Sequence, residues 1–207
     1  MFSKVNISIA VLIIFHLVGI GGVVFGDAQE FLMLTPLNLL LTALLIAINH
    51  PKGHFSWVFI FTYLAGYIVE LIGVNTGFPF GNYVYGEALG YKLFETPLMI
   101  GVNWLILLYA TNAIAQKFEQ TAITKALFSA AFMVILDYII EPVAITYDFW
   151  TWTNGVPPFS NYAAWFVIAF ALSFIWQLNK MKLNTQMAIA VYGIEILFFG
   201  VLNLIQL

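Results

Sequence analysis

The chain has 207 residues, 62% of them hydrophobic and only 8% charged, with a mean hydropathy of +0.95. Soluble domains carry roughly 25% charged residues, and no soluble fold of this size could hide so much apolar surface, so lipid is the natural solvent. There is no cysteine, which excludes disulfides, thiol catalysis and thiolate metal sites. The formal charge is -3 and arginine is absent. That argues against nucleic acid as a partner and against diphosphate ligands, whose usual bidentate partner is arginine.

A bilayer core requires roughly 20 apolar residues per helix. Taken in order, the candidate spans lie at about 6–25, 31–48, 55–73, 97–115, 124–142, 160–178 and 186–205. The breaks "GDAQE", "NHPKGH", "QKFEQTAIT" and "NKMKLNT" separate most of them. The expected fold is all-α: a polytopic bundle of about seven transmembrane helices, with residues 1–207 forming a single integral membrane domain. The first run follows Lys4 and lacks a small-x-small cleavage site, so it is read as a membrane helix rather than a signal peptide. An N-terminus in the cytoplasm and a C-terminus outside put Lys4, Lys52, Lys117, Lys125, Lys180 and Lys182 inside and Lys92 alone outside. The two longer connections, about 74–96 and 143–159, then both lie outside. They are too aromatic and apolar for solvated loops, so they should fold back over the helix ends. Trp150 and Trp152 also suit an interfacial aromatic belt.

Acids within membrane helices are costly and are functional candidates by default. Glu70, Asp137, Glu141 and Glu195 are such acids. Glu70 falls near the outer end of the third span. Asp137 and Glu141, four apart on one face of the fifth, fall in its outer half. Pro142 is expected to end or kink that helix. Three carboxyls thus share one depth beneath the aromatic connections. Two acids so close in a dry site should not both ionise, so a proton is held there at neutral pH, as a general acid requires. Glu195 lies nearer mid-membrane and is read as holding neighbouring helices together. Asn103, Trp104 and Asn161 reach the acid level. Tyr63 and Tyr67 share a face with Glu70, and Asp148 is read as a solvated loop acid.

Other constellations are weaker. A retinal Schiff base would need a lysine in the last span, and 186–205 has none. His50 and His54 flank Pro51 and Gly53, so a helical metal pair is not expected and an interfacial position is. His16 is read as a buried, hydrogen-bonded histidine. The "DYIIE" of 137–141 is similar to the acidic metal motifs of membrane prenyltransferases, but a second motif and nearby basic residues are missing.

Four segments together carry a resemblance: "ELIGVNTGFPFGNYVYGEALG" (70–90), "TPLMIGVNW" (96–104), "LDYIIEPVAITYDFWTW" (136–152) and "PPFSNYAAW" (157–165). In order, they resemble the carotenoid biosynthesis membrane proteins of the gamma-carotene 1'-hydroxylase and bisanhydrobacterioruberin hydratase type. Matching positions are Glu70, Gly77, Pro79, Gly81, Tyr83, Trp104, Asp137, Pro142, Trp150, Trp152, Asn161 and Trp165, with an acidic residue at Glu141. The last segment departs from the family pattern, with Ala164 where a glycine is expected before Trp165. The resemblance implies a cofactor-independent, metal-free hydratase that adds water to the terminal C=C of an acyclic carotenoid end. Its implied partners are the carotenoid, the lipid bilayer and other enzymes of that pathway. It implies a prokaryotic inner membrane, with which the lack of a transit segment agrees. A non-redox carotenoid cyclase and a non-catalytic carotenoid-binding protein remain alternatives from the residues alone. The residues expected to act are Asp137, Glu141 and Glu70 as catalytic carboxyls. Tyr83, Asn103, Trp104, Trp150, Trp152, Asn161 and Trp165 are expected to bind substrate.

Overall fold

The computed structural model describes residues 3–53, 56–118 and 121–205. Among them, seven helical spans are long and apolar enough to cross a membrane. They are built from α1 (Lys4–Phe25), α2 (Ala28–Leu32), α3 (Thr35–Asn49), α4 (Trp57–Thr76), α5 (Leu98–Ala115), α6 (Ala122–Thr146), α7 (Phe159–Leu178) and α8 (Thr185–Ile205). His54, read above as interfacial, lies outside the described residues.

The second span is broken into α2 and α3, a feature the apolar run 31–48 did not foretell. Pro36, at the start of α3, has no N–H to give to Leu32, and its ring would crowd that carbonyl. The Leu32 carbonyl instead accepts the Thr35 hydroxyl at 2.6 Å. Asp27 caps α2 by accepting from the backbone N–H groups of Gln29 and Glu30 at 2.9 and 3.1 Å.

Lipid offers no hydrophobic drive between helices, so close packing and polar bonds hold the bundle. α5 is the most enclosed span. A polar ladder of buried side chains joins it to α6 and α7. Ser129 stands 2.8 Å from both Thr111 and Ser173, Asn112 donates to Ser173 at 3.1 Å, and Gln177 donates to Asn112 at 2.8 Å. Trp176 donates to Thr62 at 2.8 Å, tying α7 to α4. Asn203 donates to the Ile139 carbonyl at 2.7 Å, tying α8 to α6.

The two long connections fold back as expected, and they pair with each other. β1 (Tyr83–Tyr85) runs antiparallel to β4 (Trp150–Trp152), with Tyr83 opposite Trp152 and Tyr85 opposite Trp150. Side chains alternate along a strand. The four aromatic rings therefore share one face and turn inward, whereas Val84 and Thr151 are exposed. A second hairpin, β2 (Lys92–Leu93) with β3 (Thr96–Pro97), leads into α5. Lys92 steadies it by donating to the Tyr85 carbonyl at 2.7 Å and to Glu87 at 2.8 Å.

Of the two outcomes expected at Pro142, an end or a kink, the end does not occur: α6 continues to Thr146. Proline forfeits its own bond to the carbonyl four residues back and crowds that carbonyl, but the turns beyond it can still form. The next turn is sealed by the Pro142 carbonyl, which accepts the Thr146 hydroxyl at 2.8 Å, and by Tyr147 N–H on Val143 at 3.0 Å.

Candidate active site

α4 delivers Glu70 six residues before its end, and α6 delivers Asp137 and Glu141 one turn apart on one face. Asn103 comes from the start of α5, and Asn161 and Trp165 from the start of α7. All of these, with Tyr83, Tyr85, Trp150 and Trp152 from the strand pair above, line one small cavity. Every residue expected to act is thus in one place. Trp104 stands just behind, bonded to Glu70 and stacked on Trp165 with centroids 4.2 Å apart.

The packing that permits this depends on small residues. A Cβ on Gly66 would fall 2.6 Å from the Cβ of Trp104, so only glycine lets α4 lie flush against that indole. At Gly73 a Cβ would sit 2.5 Å from the Phe80 ring and 2.9 Å from the Tyr83 hydroxyl.

The three carboxyls have different surroundings. Glu70 Oε2 accepts from the hydroxyls of Tyr83 and Tyr85 at 2.6 and 2.8 Å, and Oε1 accepts from Trp104 Nε1 at 3.0 Å. Three converging donors are the environment of a carboxylate. Burial, and then the neighbouring Glu70 charge, push both phenols well above the ordinary tyrosine value, so they stay protonated and keep donating. Glu141 Oε2 accepts from the indole N–H groups of Trp150 and Trp152 at 3.1 and 3.0 Å. Asn161 Nδ2 lies 3.0 Å from Asp137 Oδ2 and 3.4 Å from Glu141 Oε1, bridging the two. Asp137 has that single amide donor among the described residues.

The cavity leaves about 30 Å³ open to the centres of water molecules, and roughly 10–15 Å³ admits one. Carboxyl oxygens, two asparagines and two tyrosines line it, which supplies the several polar partners that a held water needs. A second cavity of about 230 Å³ shares Ile100, Asn103, Leu107, Ile140 and Trp150 with it and runs between α1, α2–α3 and α8. Its rim includes Val18, 57% exposed, and Leu37, 64% exposed, both on the lipid-facing surface.

Two neighbours of Glu70 do not join the site. Tyr67 donates to the Leu93 carbonyl at 2.8 Å and holds the β2–β3 hairpin. Tyr63 packs against Gly101 on α5. Asp148 is exposed and accepts from Thr151 at 3.2 Å, as a loop acid should. Glu195 lies 3.5 Å from His16 of α1, which agrees with its reading as a link between helices. Sequence reasoning missed Tyr85, although the "YVY" alternation places it on the same strand face as Tyr83. It also missed Phe80 and the apolar second cavity.

Comparisons with known proteins bear on this arrangement. A family model described as "Carotenoid biosynthesis protein" matches residues 31–207, which include every residue of the site. The chain is 32% identical over 116 residues to a bisanhydrobacterioruberin hydratase of Haloarcula japonica, a match covering 49% of this chain and 38% of that protein. The chain therefore spans well under two thirds of that relative's length. No solved structure matches the chain.

Proposed function

The chain belongs to the carotenoid biosynthesis protein family, and from that membership we propose that it is a cofactor-independent carotenoid hydratase. It adds water across the terminal C1=C2 bond of an acyclic carotenoid end and yields a tertiary alcohol. It acts as one integral membrane domain of a prokaryotic inner membrane, N-terminus inside, with the acid site toward the outer face. The polyene lies in the apolar second cavity, entered from lipid, and its end reaches the carboxyls through the shared wall.

Asp137 is the acid. It has the poorest donor support of the three carboxyls, so a proton rests there most readily and passes to C2. The C–H bond forms as the alkene pair is consumed, leaving a tertiary cation at C1. Indole and phenol faces stabilise it by up to about 2 kcal/mol each in a dry site, and the Glu70 and Glu141 carboxylates add their charge. Water held by Asn103, Asn161 and Glu70 attacks C1. Its surplus proton returns to the Asp137–Glu141 pair, which restores the starting state.

The observation that carries hydration over cyclisation is the polar, water-sized space among the carboxyls. A cyclase would present dry walls that fold an internal double bond onto the cation. The test is hydration by Asp137→Asn and Glu141→Gln variants at matched expression. General acid–base catalysis contributes about 10²–10⁴-fold, so the Asp137 variant should lose at least about 100-fold. Near-normal turnover by both would end the assignment.

A further inference from the structure

The wall of the second cavity holds a polar cluster that the hydration chemistry does not use. His16 of α1, Asn38 of α3 and Glu195 of α8 all lie near the middle of their spans and all line it. His16 Nδ1 donates to the Leu12 carbonyl at 2.8 Å, which leaves only Nε2 to face the cavity side. Asn38 Nδ2 lies 3.3 Å from Nε2, and Glu195 Oε1 lies 3.5 Å from it. Neither partner is satisfied by these contacts. The buried Asn38 Oδ1 has no hydrogen-bond partner among the described residues. Turning the amide over would only leave its nitrogen in the same position. Among the described residues the Glu195 carboxyl has one wide contact, to His16 at 3.5 Å, and it is only 13% exposed. Polar groups in such surroundings normally complete their bonds, and intramembrane ionisable residues mark ligand paths.

We propose that His16, Asn38 and Glu195 form a second, non-catalytic subsite that takes a hydroxyl carried by the isoprenoid chain whose terminal alkene lies among Glu70, Asp137 and Glu141. A hydroxyl suits the cluster because it both donates and accepts. It can donate to the Glu195 carboxyl, which lines the cavity, while accepting from the Asn38 amide N–H. A pure hydrocarbon meets none of these needs. The subsite therefore favours oxygen-bearing chains over hydrocarbons, which still bind, and sets how far the hydroxyl stands from the reacting end. This inference rests on the proposed use of the second cavity by the substrate chain.

The test is direct binding to the purified protein. Geraniol, farnesol and geranylgeraniol end in the same isopropylidene group and carry a hydroxyl at increasing distance from it. Each is titrated beside its deoxy hydrocarbon by calorimetry. One length should bind about tenfold tighter than its hydrocarbon, as expected for one or two added hydrogen bonds. That advantage should fall below about threefold in Asn38→Leu and in Glu195→Gln, with hydrocarbon affinity kept. Retained hydrocarbon binding establishes that a variant is folded, and Glu195→Gln carries the test if Asn38→Leu is not. No advantage at any length, or an advantage untouched in both variants, overturns the subsite, as does failure of the wild type to bind any of the compounds. An advantage lost in the variants, in a protein that hydrates no carotenoid, would uphold the subsite and remove the hydration reading alone.

Discussion

Glu70 is enclosed by three donors, and this makes it sensitive to a change that removes almost no volume. In Glu70→Gln the new amide N–H groups must face the Tyr83 and Tyr85 hydroxyls or the Trp104 indole. Leaving one buried donor unpaired costs about 1–3 kcal/mol, which a thermal melt in detergent should register as a lower Tm, accompanied by loss of hydration. Gly66→Ala tests the packing behind the site: its methyl would overlap Trp104, and overpacking of this kind costs about 1–3 kcal/mol. At this scale the acids were legible in the sequence, because a carboxyl in an apolar helix has few innocent explanations. Their differences were not. Which acid has three donors and which has one depends on Tyr85 and the two indoles of β4, brought in from distant loops.

The β1–β4 pair is the element that closes the site. Gly86 N–H donates to the Phe149 carbonyl at 3.0 Å, and a Cβ at Gly86 would run into the Asp148 carbonyl. Gly86→Val should therefore part the two connections while leaving the helices intact. Circular dichroism should stay near wild type, and hydration should fall at least about tenfold as Trp150 and Trp152 leave Glu141. The Ser129 ladder makes the converse case. Ser129→Ala removes a group shared by Thr111 and Ser173, and interhelical bonds of this type contribute about 0.6–2 kcal/mol. It should lower Tm without changing the product. The spans themselves were readable from apolar length, and so was the folding back of the two connections. Their pairing was not, because alternation in "YVY" and "WTW" names a face but no partner. The α2–α3 break and the continuation past Pro142 turn on which carbonyl finds a substitute donor.

For the molecule as a whole, the arrangement of lysines predicts a direction of insertion. The chain has no cysteine, so single cysteines report cleanly. A cysteine at position 52 should react with an impermeant thiol reagent only in inside-out vesicles, and one at position 87 only in right-side-out vesicles; the reverse pattern would invert the proposed orientation. The larger architecture places a small polar cavity beside a larger one with shared lining, whose rim includes the exposed Val18 and Leu37. A membrane-dissolved substrate could then reach the acids without leaving an apolar medium. The second cavity was not legible in the sequence because its walls come from α1, α2, α3, α5, α6 and α8, and no single span shows which of its residues meet across the bundle. The measurement that bears most directly on the central claim is expression in lycopene-producing cells grown in water enriched in heavy oxygen, with the pigments read by mass spectrometry. A product heavier than lycopene by one labelled water is the expected result. An isomer of unchanged mass and new retention would mean that the same acids drive cyclisation, and unchanged lycopene bound to the purified protein would mean that it carries carotenoid without converting it; either would contradict hydration.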